Sequence, residues 1–294
     1  MLLAAFTFDL DPVLLDFGSF QVRYYGAIFA ATLGVVYLFW RWQMRRGGYD
    51  QRITSDFMLW GVVATVVGAR LGHFLFYEPQ MLLQDPFSLL KIWHGGLASH
   101  GALVGLTIAL VLFARRHKLR LLEVMDRFAF SAAVGAAGIR LGNFLNSEIL
   151  GRPADVPWAV IFPRADVELI PRHPSQLYEF ALGLAILGAL VLVDRLAGKE
   201  KRPLGLLTGV FLTLYFAGRF CVEFFKDIQE AWERDLLLTQ GQMLSVVPFL
   251  AGAALLAWAL TRRCPTDEGK IVPIAAEPAA GRGKGGRKGS KAKG

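Results

Sequence analysis

VMDRFAFSAAVGAAGIRLGNFLN, residues 124–146, is the stretch on which the fold turns. It is an apolar run of the length that crosses a hydrocarbon core of about 30 Å as a helix, roughly 20 residues, yet it carries Arg140 and Asn143 near its end. Similar runs recur near residues 20–40, 56–77, 96–114, 177–196, 204–224 and 243–261. The chain of 294 residues is 54% hydrophobic and 19% charged, with a mean hydropathy of +0.42, which lies outside the range of soluble domains. The expected fold is an all-α integral membrane protein with seven transmembrane helices. The first twenty residues hold acidic groups and no basic region, so they do not read as a cleaved signal.

A formal net charge of +8 would suit nucleic acid, but the placement of the charges follows topology instead. Arg41, Arg45, Arg46 and Arg52 follow the first span, Arg115, Arg116, Lys118 and Arg120 the third, and Arg195, Lys199, Lys201 and Arg202 the fifth. The alternate loops are poorer in base. The positive-inside rule then puts the N-terminus outside and the C-terminus in the cytoplasm. Residues 1–262 form the membrane domain, and the Gly/Lys/Arg-rich segment 263–294 is expected to be a disordered cytoplasmic tail. The fourth loop, 147–176, holds Pro153, Pro157, Pro163, Pro171 and Pro174 and cannot be one helix. A small outer-side subdomain is expected there, with a strand or two in VPWAVIFP. Cys221 and Cys264 fall on opposite sides and form no bridge; Cys221 is expected to be a buried small apolar residue.

The frame Gly-x-Arg-Leu-Gly-x-Phe occurs twice, as GARLGHF at 68–74 and GIRLGNF at 138–144. Glycines spaced four apart let helix backbones approach closely in lipid. Packing does not explain an arginine inside each frame. With the topology above, Tyr25, Arg70, His73, Tyr77, His100, Arg140, Asn143, Asn146, Glu148, Gly151, Arg219 and Glu223 all lie toward the outer leaflet. Intramembrane ionisable groups ask for a partner or a purpose. Arg140 and Asn143, three apart on a helix, share a face and together suit a phosphate. The alternative is an internal ion pair, Arg219 with Glu223 or Arg140 with Glu148. His100, in WHGGLASHGALVG, has no metal-ligand spacing around it, and it reads equally as a general base or as a structural hydrogen-bonding group. HExxH, GxSxG and a nucleotide-binding glycine loop are absent. A transporter would need polar residues through both halves of the membrane, and a packing scaffold would leave Arg140, Arg219 and His100 without a reason.

At these residues the sequence resembles the prolipoprotein diacylglyceryl transferase family. The resemblance spans about Val22 to Ala257. It rests on VRYYG at 22–26, GARLGHFLFY at 68–77, HGGLASHG at 94–101, GIRLGNFLNSEILGR at 138–152, RHPSQLYE at 172–179, GRFCVEFF at 218–225 and TQGQMLS at 239–245. It implies transfer of the diacylglyceryl group of phosphatidylglycerol to the lipobox cysteine of a prolipoprotein signal peptide, leaving a thioether and glycerol-1-phosphate, without a cofactor or metal. It further implies catalytic roles for His100, Arg219 and Tyr25, and phosphatidylglycerol-binding roles for Arg140, Asn143, Glu148, Gly151 and Glu223. The enzyme would sit in the bacterial cytoplasmic membrane with its active site toward the outer leaflet.

Overall fold

The computed structural model describes residues 6–18, 21–91, 96, 98–228 and 236–261; the segment expected to be a basic tail lies outside them. Among the described residues eight α-helices carry the fold: α1 Tyr24–Arg46, α2 Gln51–Phe76, α3 Pro79–Gln84, α4 Ser99–Arg116, α5 Leu121–Leu145, α6 Ser175–Leu196, α7 Leu206–Glu223 and α8 Gln240–Thr261. Five of them, α2, α5, α6, α7 and α8, are long and apolar enough to cross a membrane. The spans expected at 20–40 and 96–114 form α1 and α4, but these fall short of that standard. α1 opens on Tyr24 and Tyr25 and closes in WRWQMRR, while α4 has only 18 residues and spends two on Arg115 and Arg116.

The chain is not helical throughout. Strand β2 (Val13–Asp16) pairs antiparallel with β3 (Gln21–Arg23) just before α1. The strand expected in VPWAVIFP exists as β4 (Val160–Ile161), and its parallel partner is β1 (Phe6–Thr7) from the start of the chain. Phe8 seals that junction against Phe144 and Phe162, with ring centroids 4.6 and 6.0 Å away.

The doubled glycine frame does pack helices. Gly68 and Gly72 of α2 lie against Gly101 and Gly105 of α4, so closely that a Cβ on any of them would collide with the opposite backbone. On α5, Gly138 faces Thr32 and Gly142 faces Tyr25, both on α1. The two helix groups meet in an aromatic knot of Trp40, Phe57, Phe113 and Phe128, with Trp40 Nε1 donating to the Thr54 carbonyl at 2.9 Å. A second core of Ala129, Phe130, Ile186, Leu190, Leu207 and Val210 joins α5, α6 and α7. Cys221, expected to be buried, is exposed: it sits on the outward side of α7, where an apolar solvent would suit a thiol as well as the core does.

Candidate functional site

Glu179 lies one turn into α6 and is 4% exposed. Its carboxylate pairs with Arg140 of α5 and with Lys226, just past α7, and Arg219 of α7 holds Nη1 4.0 Å away. Lys226 also donates to Glu223 at 3.1 Å. Arg140 reaches Asn143 Oδ1 at 3.4 Å, Asn143 donates to Glu148 at 3.2 Å, and Asn146 holds the other Glu148 oxygen. Three cations (Arg140, Arg219, Lys226) thus stand among three carboxylates (Glu148, Glu179, Glu223). A buried carboxylate needs such partners, because its desolvation is otherwise prohibitive.

The turn after α5 is what aims these groups. Ser147 and Ile149 both adopt left-handed backbone, with φ of 54° and 56°; for a β-branched residue that is a strained conformation of the kind that persists only when its surroundings hold it. Here they do. Gln176 Nε2 donates to the Glu148 carbonyl at 2.6 Å, Ser175 Oγ to the Ile149 carbonyl at 3.1 Å, and the Asp227 amide to the Leu150 carbonyl at 3.1 Å. Arg152 closes the other flank, its amide on the Phe225 carbonyl and its Nε on the Lys226 carbonyl at 2.8 Å. Gly151 belongs to this lattice: a Cβ there would strike the carbonyl oxygens of His173 and Phe225. Below it, Arg172 binds Asp166 at 2.6 Å and Asp227 at 2.8 Å. The Arg172 hydrogen bond holds the Asp166 carboxyl below the usual aspartate range.

The residues expected to share one site divide into two groups. Arg140, Asn143, Asn146, Glu148, Arg219 and Glu223 come together, and Tyr25, packed on Gly142, is within electrostatic reach of Arg140 and Glu148. Arg70, His73, Tyr77 and His100 belong to the α2–α4 pair. His100 packs on Phe76 and Tyr77, with ring centroids 5.1 and 5.9 Å away, and among the described residues its ring has no hydrogen-bond partner. Arg70, the counterpart of Arg140 in the repeated frame, donates to the carbonyls of Ser88, Leu89, Lys91 and Gly96. It holds the segment between α2 and α4, including a 3₁₀ turn at Pro86–Leu90. Of the two ion pairs weighed for the arginines, neither forms: both converge on Glu179. Sequence reasoning missed Glu179 and Lys226 as site residues; the one available signal was a carboxylate at the end of RHPSQLYE, inside an apolar helix. Among the described residues no cluster of His, Cys, Asp and Glu could hold a metal ion.

At the opposite end of the bundle, two arginines read from sequence as topology markers, Arg46 and Arg202, join the buried Arg127 in ion pairs. Arg46 binds Asp194 at 2.7 Å and Glu200 at 2.8 Å, Arg127 binds Glu123 at 3.0 Å and Glu200 at 2.8 Å, and Arg202 binds Asp194 at 2.7 Å. Tyr49 donates to Glu123 at 2.7 Å, and burial raises its hydroxyl above the usual tyrosine range.

Residues 12–258 match the family model described as prolipoprotein diacylglyceryl transferase. A phosphatidylglycerol–prolipoprotein diacylglyceryl transferase of Nitrosomonas europaea is 41% identical over 256 residues, covering 85% of this chain and 90% of that protein. One from Tolumonas auensis is 43% identical over 249 residues, covering 84% and 95%. One from Chloroherpeton thalassium is 42% identical over 254 residues, covering 84% and 92%. With the match running through every helix that builds the arginine–carboxylate cluster, the chain belongs to the prolipoprotein diacylglyceryl transferase family.

Proposed function

We propose that this chain transfers the diacylglyceryl group of phosphatidylglycerol to the cysteine thiol of prolipoproteins, and that the cluster around Glu179 is where the lipid phosphate is handled. Family membership carries the reaction; the observation that carries the site is the convergence of Arg140, Arg219 and Lys226 from three parts of the chain. In the reaction the thiol loses its proton, sulfur bonds to the terminal glyceryl carbon, and the bond from that carbon to the phosphate oxygen breaks. Glycerol-1-phosphate departs with the electron pair. Negative charge therefore grows on the phosphate, and preorganised guanidinium groups in a dry site are the groups that stabilise it. Arg140 and Arg219 form the clamp, Asn143 and Glu148 hold Arg140 in place, Glu223 steadies Lys226, and Tyr25 lines the same cluster.

His100 is assigned to the thiol. Displacement at carbon requires nucleophile and leaving group on opposite sides, so a base on the α2–α4 pair and a phosphate clamp on α5, α6 and α7 suit an in-line reaction. We read all seven long helices as spans, α1 and α4 among them, with the N-terminus out, the cluster toward the outer leaflet, residues 147–176 as an outer subdomain of a membrane domain running to residue 262, and 263–294 as a cytoplasmic tail. The lipobox cysteine would then meet the lipid at the outer face of the bacterial inner membrane.

The test is a transfer assay with purified protein, radiolabelled phosphatidylglycerol and a lipobox peptide. Arg140→Ala and Arg219→Ala should each slow transfer by at least about 10²-fold, the scale for losing one charge-stabilising donor. His100→Ala should bind the lipid yet fail in transfer. Wild-type rates in either arginine variant would reject the clamp.

A further inference from the structure

Glu179 competes for the same donors as a substrate phosphate. A guanidinium matches carboxylate and phosphate alike, and Arg140 already places its Nε on Glu179, while Arg219 stands 4.0 Å from it. We propose that Glu179 is a positioning residue of turnover: the resident anion that gathers the arginines in the empty site, yields them to the lipid phosphate, and retakes them to expel glycerol-1-phosphate. This rests on the reading of Arg140 and Arg219 as the phosphate clamp.

Three features of the site support the role. The helix turn that carries Glu179 is anchored, because Ser175 and Gln176 at the start of α6 are tied by hydrogen bonds of 3.1 and 2.6 Å to the turn at Glu148–Ile149. It need not be left unpaired when a phosphate arrives, because Lys226 stays beside it, backed by Glu223 at 3.1 Å. The charge balance also asks for a rival anion. With its three cations and three carboxylates the cluster is formally neutral on its own; a phosphodiester adds one negative charge, and the monoester formed when the bond breaks adds most of a second, its second pKa being near 6. The same arginines therefore hold the product more tightly than the substrate. A carboxylate fixed within reach of both arginines offsets that excess.

The measurement uses the full-length protein in lipid nanodiscs, with glycerol-1-phosphate as the probe, read by calorimetric binding and by product inhibition of transfer. Glu179→Gln keeps the shape and removes the rival charge. It should bind glycerol-1-phosphate at least about tenfold more tightly, the lower range for a close charge pair, and should slow steady-state transfer more than it slows the first turnover. Glu179→Asp, with the charge drawn back by one methylene, should fall between wild type and Glu179→Gln. Unchanged or weaker product binding in folded Glu179→Gln, or a first turnover slowed as much as the steady state, overturns the proposal. Should Glu179→Gln fail to fold, Glu179→Asp decides alone, and product binding no tighter than wild type overturns it. Arg140→Gln separates the two readings: if it leaves product binding unchanged, the clamp itself is wrong, whereas weakened binding there with no tightening in Glu179→Gln removes only the role of Glu179.

Discussion

A single methyl group at position 151 would meet two carbonyl oxygens, those of His173 and Phe225, and neither belongs to a side chain that can turn aside. The family resemblance implied a lipid-binding role for Gly151. The structure adds a close approach to protein backbone: residue 151 bridges to Lys226, and residue 152 hydrogen-bonds to both Phe225 and His173. Gly151→Ala should destabilise the fold by about 1–3 kcal/mol, as overpacking does, and should lower transfer by displacing Lys226. Unfolding in a detergent titration alongside the transfer assay checks both; wild-type stability would mean that the 151–226 contact yields easily. Arg70 and Arg140 carry the complementary lesson. Identical local frames gave no hint that one guanidinium serves four backbone carbonyls while the other serves a carboxylate, because the difference lies in what packs opposite.

At the scale of elements, α1, α5, α6 and the turn before α7 are locked at one end by ion pairs rather than by apolar packing alone. Arg127 is fully buried there between Glu123 and Glu200, and its Nη1 also donates to the Gln43 carbonyl at 2.8 Å. Breaking a buried pair costs about 3–5 kcal/mol. Arg127→Ala should lie near the low end, since Glu123 keeps Tyr49 and Glu200 keeps Arg46. Chemical unfolding of the purified variant measures this, and a loss under about 1 kcal/mol would mean that the pairs are effectively solvated. The positive-inside pattern read Arg46 and Arg202 as a topological signal. Their pairing with Asp194 and Glu200, and that of Arg127 with Glu200, was not legible, since the acids lie 73 to 154 residues away in some pairs. The boundaries of the apolar helices were legible to within a few residues, because hydrophobic length is a local property.

For the whole molecule, the proposed orientation places the loop at Lys118 in the cytoplasm and the β2–β3 hairpin outside. In a background with Cys221 and Cys264 replaced by serine, Gln21→Cys should react with a membrane-impermeant maleimide in intact spheroplasts, and Lys118→Cys only after lysis. The reverse pattern would invert the topology and move the cluster to the cytoplasmic leaflet.

The sequence by itself determined that the chain is a helical membrane protein, where its long apolar helices run, which family it resembles, and that Arg140, Asn143, Glu148, Arg219 and Glu223 would gather at one end of the bundle. Those conclusions follow from hydrophobic length, helical spacing and motif order, all of which are readable along the chain. Only the tertiary structure decided that Glu179 and Lys226 join the cluster, that His100 packs on Phe76 and Tyr77, and that α1 pairs with α5. Those outcomes depend on which helix faces which, and a charge buried between helices is recognised by the partner it finds across the gap, not by its neighbours in sequence.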